Sequence, residues 1–330
     1  FACRRGGVVN ADVPAQFVHL HLHSEFSLSD GIVRIKPLAE KCAADGQPAV
    51  AITDLSNLYA VVKFYKACLS AGIKPIIGCD VWVESPVTRD QYDRITLLCR
   101  DNTGYRNLCR LLTGAYLRGS VNNRIVIQFG ELANHHNGLI CFMDEIEGPL
   151  ARENSGPGDR APESVYRYHD LFGDTLYFSV SRVGRADEQA YINRAVKTAG
   201  ELGVGLVATN RVAYTEADDY EAHEIRVCIN EGRVLDDSRR PRNFTDQQYL
   251  KSSAEMEALF SDIPSALHNT VEIARRCNVF LNFDEDYLPD FPDTRDMTEG
   301  GLLRLNAETG LADRLGVDSL VDAKGNVQVE

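Results

Sequence analysis

Short runs rich in Val and Ile recur along this chain with helix-patterned stretches between them, and this alternation constrains the fold more than any single residue does. Extended runs are expected at residues 17–23, 49–54, 74–83, 95–99, 139–142, 176–180 and 204–209, and helices at 37–45, 58–71, 105–117 and 188–202. Repeated βα pairing implies an α/β fold with a mostly parallel sheet. With this many repeats a closed or distorted barrel is favoured over an open doubly wound sheet, with the helices outside.

The polar residues of interest fall at or just past the carboxyl ends of these runs: His21, His23, Asp54, Asp80, Glu145 and Asn210. That rim is where barrel enzymes place their chemistry, although strand ends are also polar simply because loops begin there. Side chains alternate along a strand, so His21 and His23 are expected on one face, close enough to grip a divalent ion.

Composition limits the partners. Net charge is −13, with 48 acidic against 35 basic residues, so the surface as a whole repels a phosphate backbone and no direct DNA binding is expected. Arg239, Arg240 and Arg242 form a short basic turn that reads as solvated. The nine cysteines are odd in number, scattered and without a C-x-x-C pair, which reads as reduced buried thiols in the cytoplasm. No apolar run reaches membrane-spanning length, and residues 1–16 carry no apolar signal core.

After residue 209 the pattern turns helical, at 220–230, 255–260 and 264–277, with a capping box expected at Ser252 and Glu255. Residues 151–163 read as a breaker-rich loop. The division expected is an unmatched tail at 1–16, a barrel with its helical extension at 17–285, and a connection at 286–330. The missing initiator Met and the end at Glu330 suggest a piece of a longer protein.

Several stretches carry a family resemblance: the His-rich run 19–27, Ala51-Ile-Thr-Asp54, Gly72-Ile-Lys-Pro-Ile-Ile-Gly78, Val207-Ala-Thr-Asn210, Ala222-His-Glu-Ile-Arg226, and Asn269 to Asn278 followed by Leu288-Pro-Asp-Phe-Pro292. In this order they resemble the amino-terminal part of bacterial replicative DNA polymerase III alpha subunits, which open with a PHP (polymerase and histidinol phosphatase) domain. The resemblance covers roughly residues 17 to 295. It implies a distorted PHP barrel whose helical extension leads into a polymerase core beyond this chain.

Metal-binding PHP members hold a cluster of divalent ions on the barrel rim. Here His21, His23 and Asp54 match the family's ligands, Asp80 stands where Glu is usual, and Glu145 replaces a Cys. The remaining ligand positions are lost, at Leu55, Arg94, Val183, Arg211 and Ala213. Leu, Val and Ala cannot ligate, and a hydrolytic cluster needs enough donors to offset several dications and leave a place for activated water. Arg94 and Arg211 are expected to substitute for the lost cations by pairing with Asp54, Asp80 or Glu145. His21, His23 and Asp80 keep the donors for a single weak divalent ion, manganese, zinc or magnesium, the alternative being none.

No catalytic residue is therefore assigned. The resemblance implies a degenerate scaffold that packs on the polymerase core in cis and docks the proofreading exonuclease subunit. The competing reading is a metal-dependent phosphoesterase or pyrophosphatase at the rim. The resemblance implies a parent whose activity is DNA-directed DNA polymerisation, a magnesium-dependent nucleotidyl transfer, with its palm carboxylates downstream. Asp284, Glu285 and Asp286 read as a solvated turn. His135 and His136 read as solvated loop residues, and Phe64, Tyr65, Tyr105 and Tyr116 as packing rather than base-stacking groups.

Overall fold

The computed structural model describes residues 17–28, 30–152, 160–237, 239–285, 291, 297–317 and 320. The tail 1–16, residues 153–159 of the expected loop, and Asp286 lie outside the described residues. In chain order the elements are α1 Ile35–Ala44, β1 Ala49–Ile52, α2 Val61–Ala71, β2 Lys74–Glu84, β3 Tyr92–Cys99, α3 Asn102–Arg118, β4 Val126–Ile127, α4 Phe129–His135 and β5 Leu139–Met143. There follow α5 Pro149–Arg152, α6 Glu163–Phe172, β6 Leu176–Ser181, α7 Glu188–Leu202, β7 Gly205–Thr209, α8 Tyr220–Glu231, α9 Ser253–Leu259, α10 Pro264–Arg276 and α11 Glu299–Leu315.

The strands form one curled sheet in the order β1-β2-β3-β5-β6-β7, with β4 added beside β2. It is mostly parallel, as the sequence pattern implies, except that β3 runs antiparallel to both β2 and β5. Chain length is the reason. Glu84 pairs directly with Tyr92, and the few residues between them suffice for a hairpin but not for the dozen or more of a parallel crossover. The remaining ladders are parallel.

Residues 17–23 are extended but do not form the regular strand expected of them. Side chains take the amides a ladder would use: Leu22 N donates to Thr53 Oγ1 (2.9 Å) and Val18 N to Thr270 Oγ1 (3.0 Å). The segment still bridges the two sheet edges. Ala51 N donates to the His19 carbonyl (2.8 Å), and His23 N donates to the carbonyl of Val212, just past β7 (2.8 Å).

The inner face changes character along each strand with a period of two. Ile76, Leu98, Ile140, Phe142, Tyr177 and Val207 pack in one buried cluster with Ile273 and Ala274 of α10. One or two steps further along the same faces stand Asp80, Thr96, Asp144, Ser179 and Arg211. α10 thus closes an apolar floor, and polar groups stand at the rim. Gly78 lies between Ile76 and Asp80 because a Cβ there would sit 2.4 Å from Leu98 Cδ2 and 2.7 Å from the Leu97 carbonyl. A second apolar layer, with Leu38, Cys42, Ile52, Phe64 and Cys68, holds α1 and α2 against β1.

Helix ends follow local chemistry. Asp101 caps α3 through the amides of Thr103 and Gly104, the Ser252/Glu255 capping box opens α9, and Pro264 opens α10. His135 lies in the last turn of α4 rather than in a loop, and His136 caps that helix. The chain divides into two compact units, Phe1–Phe280 and Leu281–Glu330. In the second, α11 is capped by Thr298 and buries Leu302 and Ala312, while Leu303 and Leu311 are exposed.

Candidate functional site at the barrel rim

Asp80 is the hub. It stands on β2, fully buried, and its Oδ2 accepts from His21 Nε2 and His23 Nε2 (2.9 Å each) and from Arg94 Nη2 (3.1 Å) and Nε (3.3 Å). Thr96, paired with Asp80 across the β2–β3 ladder, donates to Oδ1. Burial alone would raise the Asp80 carboxyl, but His21 and Arg94 beside it hold it well below the usual carboxylate range. Arg94 reaches the hub because β3 is antiparallel, which brings its first residues to the rim where β2 ends. The same guanidinium also meets Glu147 and Asp30 (3.2 Å each). Gly31 allows the chain to pass His23 closely, since a Cβ there would lie 2.3 Å from the His23 carbonyl oxygen.

Asp54 is turned away from this hub. Its oxygens accept from Ser24 N (2.6 Å), Ser24 Oγ (2.8 Å) and Ser27 Oγ (2.7 Å), which locks the 3-10 turn Glu25–Ser27. Among the described residues it forms no ion pair with Arg94 or Arg211, and burial pushes its carboxyl up despite those hydrogen bonds.

Across the rim, Arg211 pairs with Asp144, a residue the sequence reading passed over, and stands 3.7 Å from Glu145 Oε1. Strand alternation held the signal: from Ile140 and Phe142 on the inner face, the next step is Asp144. Asp144 Oδ1 also accepts from the amides of Ile146 (2.8 Å) and Glu147 (2.7 Å). Burial opposes its charge, but Arg211 and Arg94 hold its carboxyl low. Arg211 adopts φ 44°, a left-handed conformation that costs energy for a branched-chain-free but bulky side chain and persists because its contacts over-determine it. Glu145 Oε2 accepts from Ser179 Oγ (2.6 Å), whereas Glu145 Oε1 and the buried Tyr191 hydroxyl find no hydrogen-bond partner among the described residues.

The other positions serve packing. Leu55 bridges to Asp80 through the backbone, and Val183 and Ala213 are buried. Asn210 donates to the carbonyls of Gln247 (3.0 Å) and Tyr249 (2.7 Å), tying down a strap whose Phe244 and Gln248 lie over the rim. The space left above His21, His23 and Arg211 is about 10 Å³, room for at most one water. Arg240, expected to be solvated, instead forms a buried ion pair with Glu224.

The donor atoms of His21, His23 and Asp80 lie within 4.8 Å of one another, the one such group among the described residues. This set does not fit a hydrolytic cluster. Both imidazoles aim Nε2 at a carboxylate oxygen that Arg94 already neutralises, so an ion would have to displace the guanidinium, and His21 Nδ1 has no partner to orient it for ligation.

Curled sheet, α10 floor and histidine–carboxylate rim define a class: residues 19–182 match the PHP domain family. The chain belongs to the amino-terminal PHP region of the DNA polymerase III alpha subunit family. It is 45% identical over 91% of its length to the DNA polymerase III subunit alpha of Pseudomonas aeruginosa and 44% identical over 91% to that of Escherichia coli K12. It spans 26% of the length of each. A two-domain protein from Bacteroides vulgatus overlaps 84% of this chain and 75% of its own, with a TM-score of 0.40 at 11% identity. Among the described residues no helix is long and apolar enough to cross a membrane.

Proposed function

We propose that this chain is a catalytically degenerate scaffold of a cytoplasmic bacterial replicase, which packs on the polymerase core in cis and docks the proofreading exonuclease subunit. One observation carries the reading: the would-be ligands His21, His23 and Asp80 are bonded to one another and to Arg94. A guanidinium occupies the role of a metal's charge, and the space above it admits no substrate. Polymerase activity belongs to the longer relatives' remaining length, and the net charge of −13 favours a protein partner over DNA.

Elemental analysis after incubation with manganese and zinc, with a chromogenic phosphomonoester assayed on the same sample, tests this. The expected result is no tightly bound metal and no turnover, together with co-purification of the exonuclease subunit. Two or more ions per chain, with turnover lost in His21→Ala, would establish instead the phosphoesterase or pyrophosphatase reading, which the proximity of the three donor atoms favours.

A further inference from the structure

Lys251 is 3% exposed, yet among the described residues no carboxylate lies within ion-pair distance of its amine. Its Nζ donates to the Gln247 carbonyl and sits 4.0 Å from the centre of the Tyr249 ring. Lys41, which borders the same cavity, is provided for differently: it meets Glu216 (2.6 Å) and the Thr215 carbonyl (3.2 Å). An ammonium stripped of water and given one carbonyl and one ring is poorly solvated, which favours the neutral, nucleophilic amine. Burial pushes the Lys251 amine down to about 8, against the pull of Glu255 and Asp246.

The lysine borders usable space. It lines a cavity of about 270 Å³ with Lys41, Asp45, Glu216, Tyr249 and Glu255, and this cavity shares no lining residue with the space at the rim. Three carboxylates against two ammonium groups make the lining acidic, so it disfavours anionic electrophiles such as acyl phosphates. Those carboxylates are engaged: Asp45 accepts from Ser253 and Gln47, Glu255 from Tyr249 and Ser252, and Glu216 from Lys41. The Lys251 amine is the group with donors to spare, since an ammonium carries three N–H bonds and finds one acceptor here. His19, whose Nε2 donates to the Lys251 carbonyl (2.8 Å), is pushed down to about 4 by burial and adds no charge at neutral pH.

We infer that Lys251 is an acylation site, whose amine takes the acyl group of a small, uncharged thioester admitted to this cavity. The neutral amine attacks the thioester carbonyl carbon, a C–N bond forms, and the C–S bond breaks. The thiolate leaves and takes up the proton released by nitrogen, so amine and thioester become amide and thiol. The product suits the site. An amide N–H donates once, which matches the single Gln247 carbonyl, and the charge that burial disfavours is gone. Gln247 also accepts from Asn210 (3.0 Å), so the strap keeps that tie in either form of Lys251.

The test is acetylation of the full chain by S-acetyl-N-acetylcysteamine, an uncharged thioester, followed at each lysine by peptide mass spectrometry at pH 7 and pH 9. Lys36, whose side chain is 81% exposed, is the reference. At pH 7 Lys251 should react roughly tenfold faster than Lys36, or more. An amine that titrates near pH 8 gains about tenfold in its neutral form between these pH values and an ordinary lysine about a hundredfold, so the Lys251-to-Lys36 ratio should fall about tenfold. In concentrated urea the preference should vanish. A Lys251 rate no greater than that of Lys36 at pH 7 would overturn the assignment, as would a ratio that stays constant with pH or survives in urea. Lys251→Arg, which keeps the charge, should abolish the label on the peptide that contains position 251, and its persistence would place the reaction elsewhere and sink the site.

Discussion

The two halves of the rim close around arginine in different ways. On the β2–β3 side, Arg94 enters among residues that kept their ligand character, and Asp80 ends with every oxygen enclosed by His21, His23, Thr96 and the guanidinium. On the β5–β7 side the ligands themselves are gone. There Arg211 sits on a strained backbone, Asp144 is held partly by main-chain amides, and Glu145 Oε1, 3.7 Å from Arg211, and the Tyr191 hydroxyl have no hydrogen-bond partner among the described residues. One half is a single cooperative knot. The other is a patch in which removal of one group leaves neighbours with partners.

The largest effect expected from this contrast is in stability. Arg94→Ala strips Asp80, Asp30 and Glu147 of their shared cation and leaves a fully buried carboxylate, at a cost of about 3–5 kcal/mol. Arg211→Ala should cost about 2–3 kcal/mol, since Asp144 retains two amide donors and Glu145 retains Ser179. Urea unfolding of both variants measures the difference. An Arg211→Ala loss equal to or larger than that of Arg94→Ala would break the comparison.

The first half is legible in the sequence and the second only in part, for physical reasons: Arg211 and Glu145 are expected to pair and stand 3.7 Å apart, but Asp144 goes unnamed. His21 and His23 announce a shared face, Asp80 closes a strand, and an arginine at position 94 can be read as a replacement charge. The expected mostly parallel sheet is found, and the short interval between residues 84 and 92, too short for a crossover, marks β3 as its antiparallel strand. Asp54 was misread as a rim partner because nothing local signals that Ser24 and Ser27, some thirty positions earlier in the chain, capture it. Asp144 was missed beside Glu145, although counting by twos along β5 selects it. The strap over the rim has neither helical nor strand periodicity, so only the structure places Phe244 and Gln248 there.

Asp54 sharpens the comparison as a buried carboxylate with no arginine. Asp80 and Asp144 are held low in the fold, so their stabilisation is complete above the unfolded value of about 4 and is lost as pH falls through the folded value. Asp54 is pushed up, so its contribution has the opposite sign: complete below about pH 4, and lost as pH rises through its folded value. The stability gap between wild type and Asp54→Asn should therefore shrink with rising pH, whereas the gap for Asp80→Asn should grow. Denaturant midpoints from pH 3 to 7 test this. Gaps that move in the same direction would show that burial, not the cation, controls the rim.

The smallest expected effect isolates the β2–β3 half optically. Trp82 is the chain's single tryptophan, and it pairs with Arg94 across the β2–β3 ladder. Arg124 Cζ lies 3.9 Å and Arg94 Cζ 5.7 Å from its ring centre, and Glu147 approaches both guanidinium groups. Arg124→Ala should cost only about 0.5–1 kcal/mol, because its side chain is 40% exposed and the hub does not depend on it. It should nonetheless change Trp82 emission, as should Arg94→Ala, while Arg211→Ala leaves emission at its wild-type position. The knot and the patch would then be separable in one spectrum. An emission change in Arg211→Ala equal to that in Arg94→Ala would mean that the two arginines share one network, and that the Arg94–Asp144 electrostatic coupling carries more of the rim than the hydrogen bonds do.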